Sequence, residues 1–174
     1  GRLVSKTILA AIENDYLDAW YVKNIAYQTK LKSGIEDYYT KSARKNLYNI
    51  IANNKQNKVT IESTTLAHDL TFDFFSEDGQ LAVLTDRNVL EFKRIFKEGK
   101  LISEVKEVTD YKIIFLLEDG FWRIRHQVKI ASKTFIDNSK PVNIPIDNLK
   151  GINYYPQKNP WDMYNDDFDI SVIS

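Results

Sequence analysis

Glu118-Asp119-Gly120-Phe121-Trp122-Arg123-Ile124-Arg125-His126 is the stretch on which the fold turns. Asp-Gly accepts the left-handed backbone that a tight hairpin demands. Before it, Tyr111 to Leu117 reads as a strand; after it, Phe121 to Ile130 reads as its antiparallel partner. Successive side chains of a strand point to opposite faces. Trp122, Ile124, His126 and Val128 therefore share one face, and Phe121, Arg123, Arg125 and Gln127 the other.

Working upstream, the same grammar repeats. Lys97-Glu98-Gly99-Lys100 is a second turn, between strands at Val89–Phe96 and Leu101–Thr109. Ser76-Glu77-Asp78-Gly79 is a third, ahead of Leu81–Thr85. From Lys58 the period is already two: Val59, Ile61, Ser63 and Thr65 alternate with Thr60, Glu62, Thr64 and Leu66, and the run continues through Leu70, Phe72 and Phe74. Earlier still the period is helical. Leu3 to Leu31 lacks Pro and Gly and repeats apolar residues at Ile8, Ile12, Tyr16, Ala19, Trp20 and Tyr27, and Ser33-Gly34 closes it. A second helix is expected from Ile35 to about Asn53, on Ile35, Tyr39, Ala43, Leu47 and Ile50. Two helices followed by five or six hairpin-linked strands make an α+β fold, with the long helix covering the sheet.

Tyr38-Tyr39-Thr40, Ser76-Glu77-Asp78-Gly79-Gln80-Leu81 and Glu118 to His126, in that order, resemble the NTF2-like (SnoaL-like) superfamily over roughly residues 3–131. The resemblance implies an NTF2-like cone, N-terminal helices packed on a strongly curved antiparallel sheet, with a pocket at its open end. It also implies a homodimer formed through the sheet. Some members are isomerases, cyclases or dehydratases; many are non-catalytic domains that bind, assemble or space their neighbours.

Downstream, Ser132 to Ile146 is polar and carries Pro141 and Pro145, as a linker does, or an edge strand running into a linker. Lys150-Gly-Ile-Asn-Tyr-Tyr-Pro-Gln-Lys-Asn-Pro-Trp161 then resembles the first strand of (β/α)8-barrel glycoside hydrolases. Such a barrel needs about 250 residues. Residues 1–137 are thus expected to form the NTF2-like domain, and 138–174 a linker and the truncated start of a glycosidase-like barrel. In the parent protein the resemblance assigns sugar contact to Asn153, Tyr154, Tyr155 and Trp161. The sequence itself names no compartment, although glycosidases of this kind are often exported.

Composition removes several function classes. Twenty-four basic side chains balance 24 acidic ones, so no global field draws nucleic acid or anionic lipid. The absence of cysteine excludes disulfides, thiolate catalysis and Cys-based zinc sites. No apolar run reaches the roughly 20 residues of a membrane span.

The pocket candidates are Tyr39, His68, Trp122 and His126. A histidine oriented by a carboxylate can act as a general base. His68 and its neighbour Asp69 face opposite ways on a strand, so they do not pair. His126, on the face of Trp122 and Ile124, is expected to meet His68 across the interior. Two histidines without a third ligand make a poor metal site, and no metal or cofactor is expected. Asp86, Arg87, Glu91, Lys93 and Arg94 read as cross-strand ion pairs on an exposed face, and Arg123 and Arg125 as convex-face residues. The expectation is a non-catalytic accessory domain that binds a carbohydrate or small molecule, dimerises or spaces a glycosidase. The alternative is a small-molecule isomerase or lyase with His68 or His126 as base.

Overall fold

Ser5 starts the first helix in the computed structural model, which describes residues 4–136. Its hydroxyl accepts the Ile8 N–H at 3.2 Å, satisfying one of the donors a helix start leaves over. Helix α1 spans Lys6–Thr29 and ends where Lys30 turns left-handed (φ 64) and donates its N–H to Ala26 O. Its buried stripe is Ile12, Tyr16, Ala19, Trp20 and Ala26. The single second helix expected from the sequence is broken in two, α2 at Ile35–Tyr38 and α3 at Lys41–Gln56. The break has a cause outside the helix. Tyr39 is extended (φ −133, ψ 141) and bridges Ile124, Thr40 donates its N–H to Ile124 O at 2.9 Å, and the Tyr39 hydroxyl donates to Ala19 O at 2.9 Å. Those sheet contacts override local helical periodicity.

Five antiparallel strands follow among the described residues: β1 Val59–Ala67, β2 Leu70–Phe75, β3 Leu81–Lys97, β4 Lys100–Glu118 and β5 Phe121–Ile136. The order is β1-β3-β4-β5, and β2 pairs with the first half of β3 while β1 pairs with the second. The shorter segments read from the sequence merge into long strands that bend instead of ending. At Arg87–Asn88 one extra residue enters β3, with Asp86 opposite Tyr111 but Val89 opposite Thr109. Such a bulge bends a strand and steepens its twist. Asp110 braces it, accepting the Asn88 N–H at 2.8 Å. Strand β5 carries further shifts at Arg125 and Ile130. Two of the hairpin turns have positive φ at both central residues, Glu98 and Gly99 and Asp119 and Gly120, the type I′ geometry that matches strand twist, whereas at Asp78-Gly79 only the glycine is left-handed.

The α+β architecture is confirmed: N-terminal helices lie on a curved antiparallel sheet. The α1 stripe packs on Ala82, Leu84, Tyr111, Ile113, Phe115, Trp122 and Ile124, and each large side chain buried there contributes about 1.5–3 kcal/mol. No helix among the described residues is long and apolar enough to cross a membrane. Ser132–Ile136, the start of the stretch read as linker or edge strand, are the end of strand β5 and pair with Val105–Thr109; residues 138–174, with Asn153, Tyr154, Tyr155 and Trp161, lie outside the described residues.

Candidate functional site

Between α1 and the concave face of the sheet lie two polar clusters joined by Trp20. The first centres on Asp86, whose side chain is fully buried on β3. Its Oδ2 accepts the Tyr16 hydroxyl at 2.7 Å and meets His68 Nδ1 at 2.6 Å; its Oδ1 accepts the Asp69 N–H at 2.8 Å. His68 and Asp69 form the break between β1 and β2, which frees the imidazole to turn inward. The ring lies edge-on to Tyr16 (centroids 5.5 Å) and against Trp20 (5.3 Å). In the neutral ring with Nδ1–H directed at the carboxylate, Nε2 carries the lone pair. No hydrogen bond reaches Nε2 among the described residues. Burial first, and then the Asp86 charge, push the Tyr16 hydroxyl far above its usual value, so it serves only as a donor.

The second cluster is ionic. Glu91 on β3 stands directly opposite Glu107 on β4. Facing like charges repel, and cations resolve the conflict here. Lys93 Nζ lies 2.7 Å from Glu107 Oε1 and 3.7 Å from Glu91 Oε1, and Lys129 Nζ lies 2.9 Å from Glu107 Oε2. Ser63 donates to Glu91 Oε2 at 3.3 Å, and Ser132 to Glu107 Oε2 at 3.2 Å. Burial alone would raise the Glu107 carboxyl, but the hydrogen bonds and charges of Lys93 and Lys129 outweigh it and hold the group at about 2. Burial likewise works against the Lys93 ammonium, and the two glutamates more than offset it.

Lys23 is the exception. Its ammonium sits 3.5 Å from the Trp20 ring centroid and 5.9 Å from that of Tyr27. It makes no hydrogen bond or ion pair among the described residues. Desolvation pushes it down to about 8, against only partial support from the Glu91 charge. Beside it, Trp20 Nε1 and Asn24 Oδ1 are buried without a hydrogen-bond partner among the described residues.

The four sequence-derived pocket candidates do not come together. Of the four, His68 alone joins the Asp86 cluster, while Tyr39 and Trp122 are packed into the core. Tyr39 is buried as a peg between α1 and β5. Trp122 packs on Phe75 at 5.9 Å, and its backbone N–H donates to Asp15 Oδ2 at 2.9 Å. His126 is exposed, because the extra residue at Arg125 pairs it with Ile114 on the outward face. The charges read as an exposed ladder also need correction: Asp86, Glu91 and Arg94 are buried, and the bulge sets Asp86, Glu91 and Lys93 on the inner face. Arg123 is tied to Asp37 O, Glu118 and Asp119, and Arg125 is exposed. Lys23, Asp86, Glu91, Glu107 and Lys129 were missed as site residues. One signal was available, since Asp86 shares the parity of the apolar Ala82 and Leu84.

No protein-family model matches the chain, and no curated protein matches it. Solved structures do. The intermembrane space region of the chloroplast protein ARC6 is similar at 16% identity and TM-score 0.59, over 75% of this chain and 99% of that one. A type 2 hexachlorocyclohexane dehydrochlorinase, LinA, is similar at 10% identity and TM-score 0.51, over 81% and 97%. A putative scytalone dehydratase from Novosphingobium aromaticivorans is similar at 12% identity and TM-score 0.50, over 73% and 87%. At such identities the likeness establishes the fold alone, the NTF2-like cone.

Proposed function

We propose that this chain is a non-catalytic NTF2-like domain that holds a small ligand in its cone and serves a polysaccharide-active enzyme. The observation that carries the ligand-holding role is the set of polar groups left unused around Trp20. Lys23, His68 Nε2, Trp20 Nε1 and Asn24 Oδ1 have no hydrogen-bond partner among the described residues, while Asp86, Glu107 and Lys93 beside them each bind two or three groups. Buried polar groups are normally paired, and the two of these that are buried, Trp20 Nε1 and Asn24 Oδ1, lie beside the unpaired Lys23 ammonium and point to a missing partner. The service role rests on the resemblance of the segment Lys150–Trp161 to a barrel's first strand. Titrating the chain with oligosaccharides and small organic acids, and following tryptophan fluorescence, tests the first role. Saturable change that Trp20→Phe abolishes is expected; flat titrations throughout would leave only spacing. Barrel periodicity in the reading frame past Ser174 tests the second, and mass in solution tests the proposed homodimer.

One observation favours a second reading. Asp86 holds His68 Nδ1 at 2.6 Å, the orientation that readies an imidazole as a general base. By their names, a dehydrochlorinase and a dehydratase remove HCl and water, and such eliminations take a proton from carbon. In that reading Nε2 abstracts the proton beside a halide or hydroxyl leaving group, a contribution of about 10²–10⁴-fold. His68→Gln should then abolish elimination while the thermal transition stays in place. An unchanged rate in that variant disposes of the reading.

A further inference from the structure

We infer that the recess over Trp20 takes a small organic monoanion, with its carboxylate on Lys23 Nζ and its apolar body against the rings of Trp20, Tyr27 and Tyr111. The inference rests on the ligand-holding reading above and names the ligand's class.

Charge decides it first. Five ionisable groups interact in this part of the cone: Lys23 from α1, Glu91 and Lys93 from β3, Glu107 from β4 and Lys129 from β5. Three cations and two anions leave an excess of one positive charge. Lys93 and Lys129 are engaged by the glutamates, so the excess resides on Lys23. A partly desolvated ammonium with no acceptor is held at a cost, and a single counter-charge relieves it. A dianion would overshoot that single excess charge, with the Glu91 and Glu107 charges acting on the same site.

The walls decide the rest. The Trp20 ring under Lys23 also lies 5.6 Å from that of Tyr111. A cation over an indole face gains about 0.5–2 kcal/mol but leaves the three ammonium N–H donors without an acceptor. The buried Trp20 N–H adds a donor, and Asn24 Oδ1 adds an acceptor for a hydroxyl on the ligand. Aromatic surface around one charged anchor suits a carboxylate carried on a ring or short apolar body.

Isothermal titration of the whole chain with benzoate, and with neutral benzamide as its isostere, is the test. The other titratable groups around Lys23 are Tyr27 on the same helix, Glu91 and Lys93, Glu107 and Tyr111, Lys129, and His68 beyond Trp20. The tyrosines among them are all pushed upward by burial. With Lys23 at about 8, benzoate affinity should fall about thirtyfold between pH 6.5 and 9.5. Benzamide should bind at least tenfold more weakly than benzoate at the lower pH. Lys23→Met should lose tenfold or more of the benzoate affinity with no fall in its urea midpoint, since a thioether fits the aromatic recess. Equal affinity for benzamide, no pH dependence, or an unaffected Lys23→Met would overturn the inference. Binding of neutral sugars without benzoate would defeat the anion site and spare the ligand-holding role; a silent Trp20 throughout would remove both.

Discussion

Removing the Asp86 carboxylate is the most searching perturbation of the interior. In Asp86→Ala the Tyr16 hydroxyl, fully buried, and the His68 Nδ1–H both lose their acceptor, and the Asp69 N–H loses a third bond. Each orphaned buried donor costs about 1–3 kcal/mol. Part of that is returned because an expensive buried charge disappears. The net expectation is a loss of about 3–5 kcal/mol. Tyr16→Phe removes only one of three donors and should cost about 1–2 kcal/mol. In the double variant the phenol no longer exists to be orphaned. Tyr16→Phe should therefore be neutral or stabilising in the Asp86→Ala background, a coupling of about 2 kcal/mol. Urea unfolding followed by tryptophan fluorescence measures all four corners, with an unchanged m-value showing that the same surface is buried. A cost below about 1 kcal/mol for Asp86→Ala, or strictly additive effects, would refute the claim that this carboxylate organises the centre.

Glu107 is held at about 2 against an ordinary 4.5. Its stabilisation, about 3 kcal/mol, is present above pH 4.5 and is lost as pH falls toward 2; Glu107→Gln should flatten the acid limb of the stability curve. Lys23 has the opposite sign, because between about 8 and 10.5 the unfolded chain holds the proton that the folded state has released. Stability should rise over pH 8 to 9.5 by up to about 2 kcal/mol, before unfolded-state tyrosines ionise, and Lys23→Met should erase the rise in the same unfolding assay. Glu98 sits left-handed (φ 50) ahead of Gly99 in a type I′ turn. Glu98→Asn should raise stability by about 0.5–1 kcal/mol, and a lowered urea midpoint would count against that turn.

The plan of the fold was readable because its signals are local. Ser33-Gly34, the Asp-Gly and Glu-Gly turns, and the change from helical to alternating periodicity each act within a few residues. The break at Tyr39–Thr40 was not readable, because an edge bridge to Ile124, 85 positions away, imposes it against a continuous helical pattern. The His68 partner was hidden for a similar reason. Asp86 reaches it only through the register that sets Leu70 opposite Asp86, and nothing within β1 or β2 announces that pairing.

The deeper reason the cone's chemistry stayed out of sight is parity. A strand read by strict alternation carries one face from end to end, and on that reading Ala82, Leu84, Asp86, Asn88, Leu90 and Phe92 of β3 would all look inward. The extra residue at Arg87–Asn88 reverses the phase, so that Glu91 and Lys93 turn in while Leu90 and Phe92 turn out. The extra residue at Arg125 does the same to β5, moving His126 and Val128 out and setting Lys129 opposite the buried Tyr111. Both reversals fall inside long strands, near the middle of β3 and a third of the way along β5. The narrow end of the cone therefore keeps an apolar lining of Ala82, Leu84, Phe115, Trp122 and Ile124, while beyond the bulges charged side chains line the inside and Val128 and Ile130 stand exposed. The kink that curves the sheet is thus also what converts an alternating, sheet-forming sequence into a cone with a polar chamber. Single-residue insertions in β3 and β5 locate that chamber better than any motif along the chain.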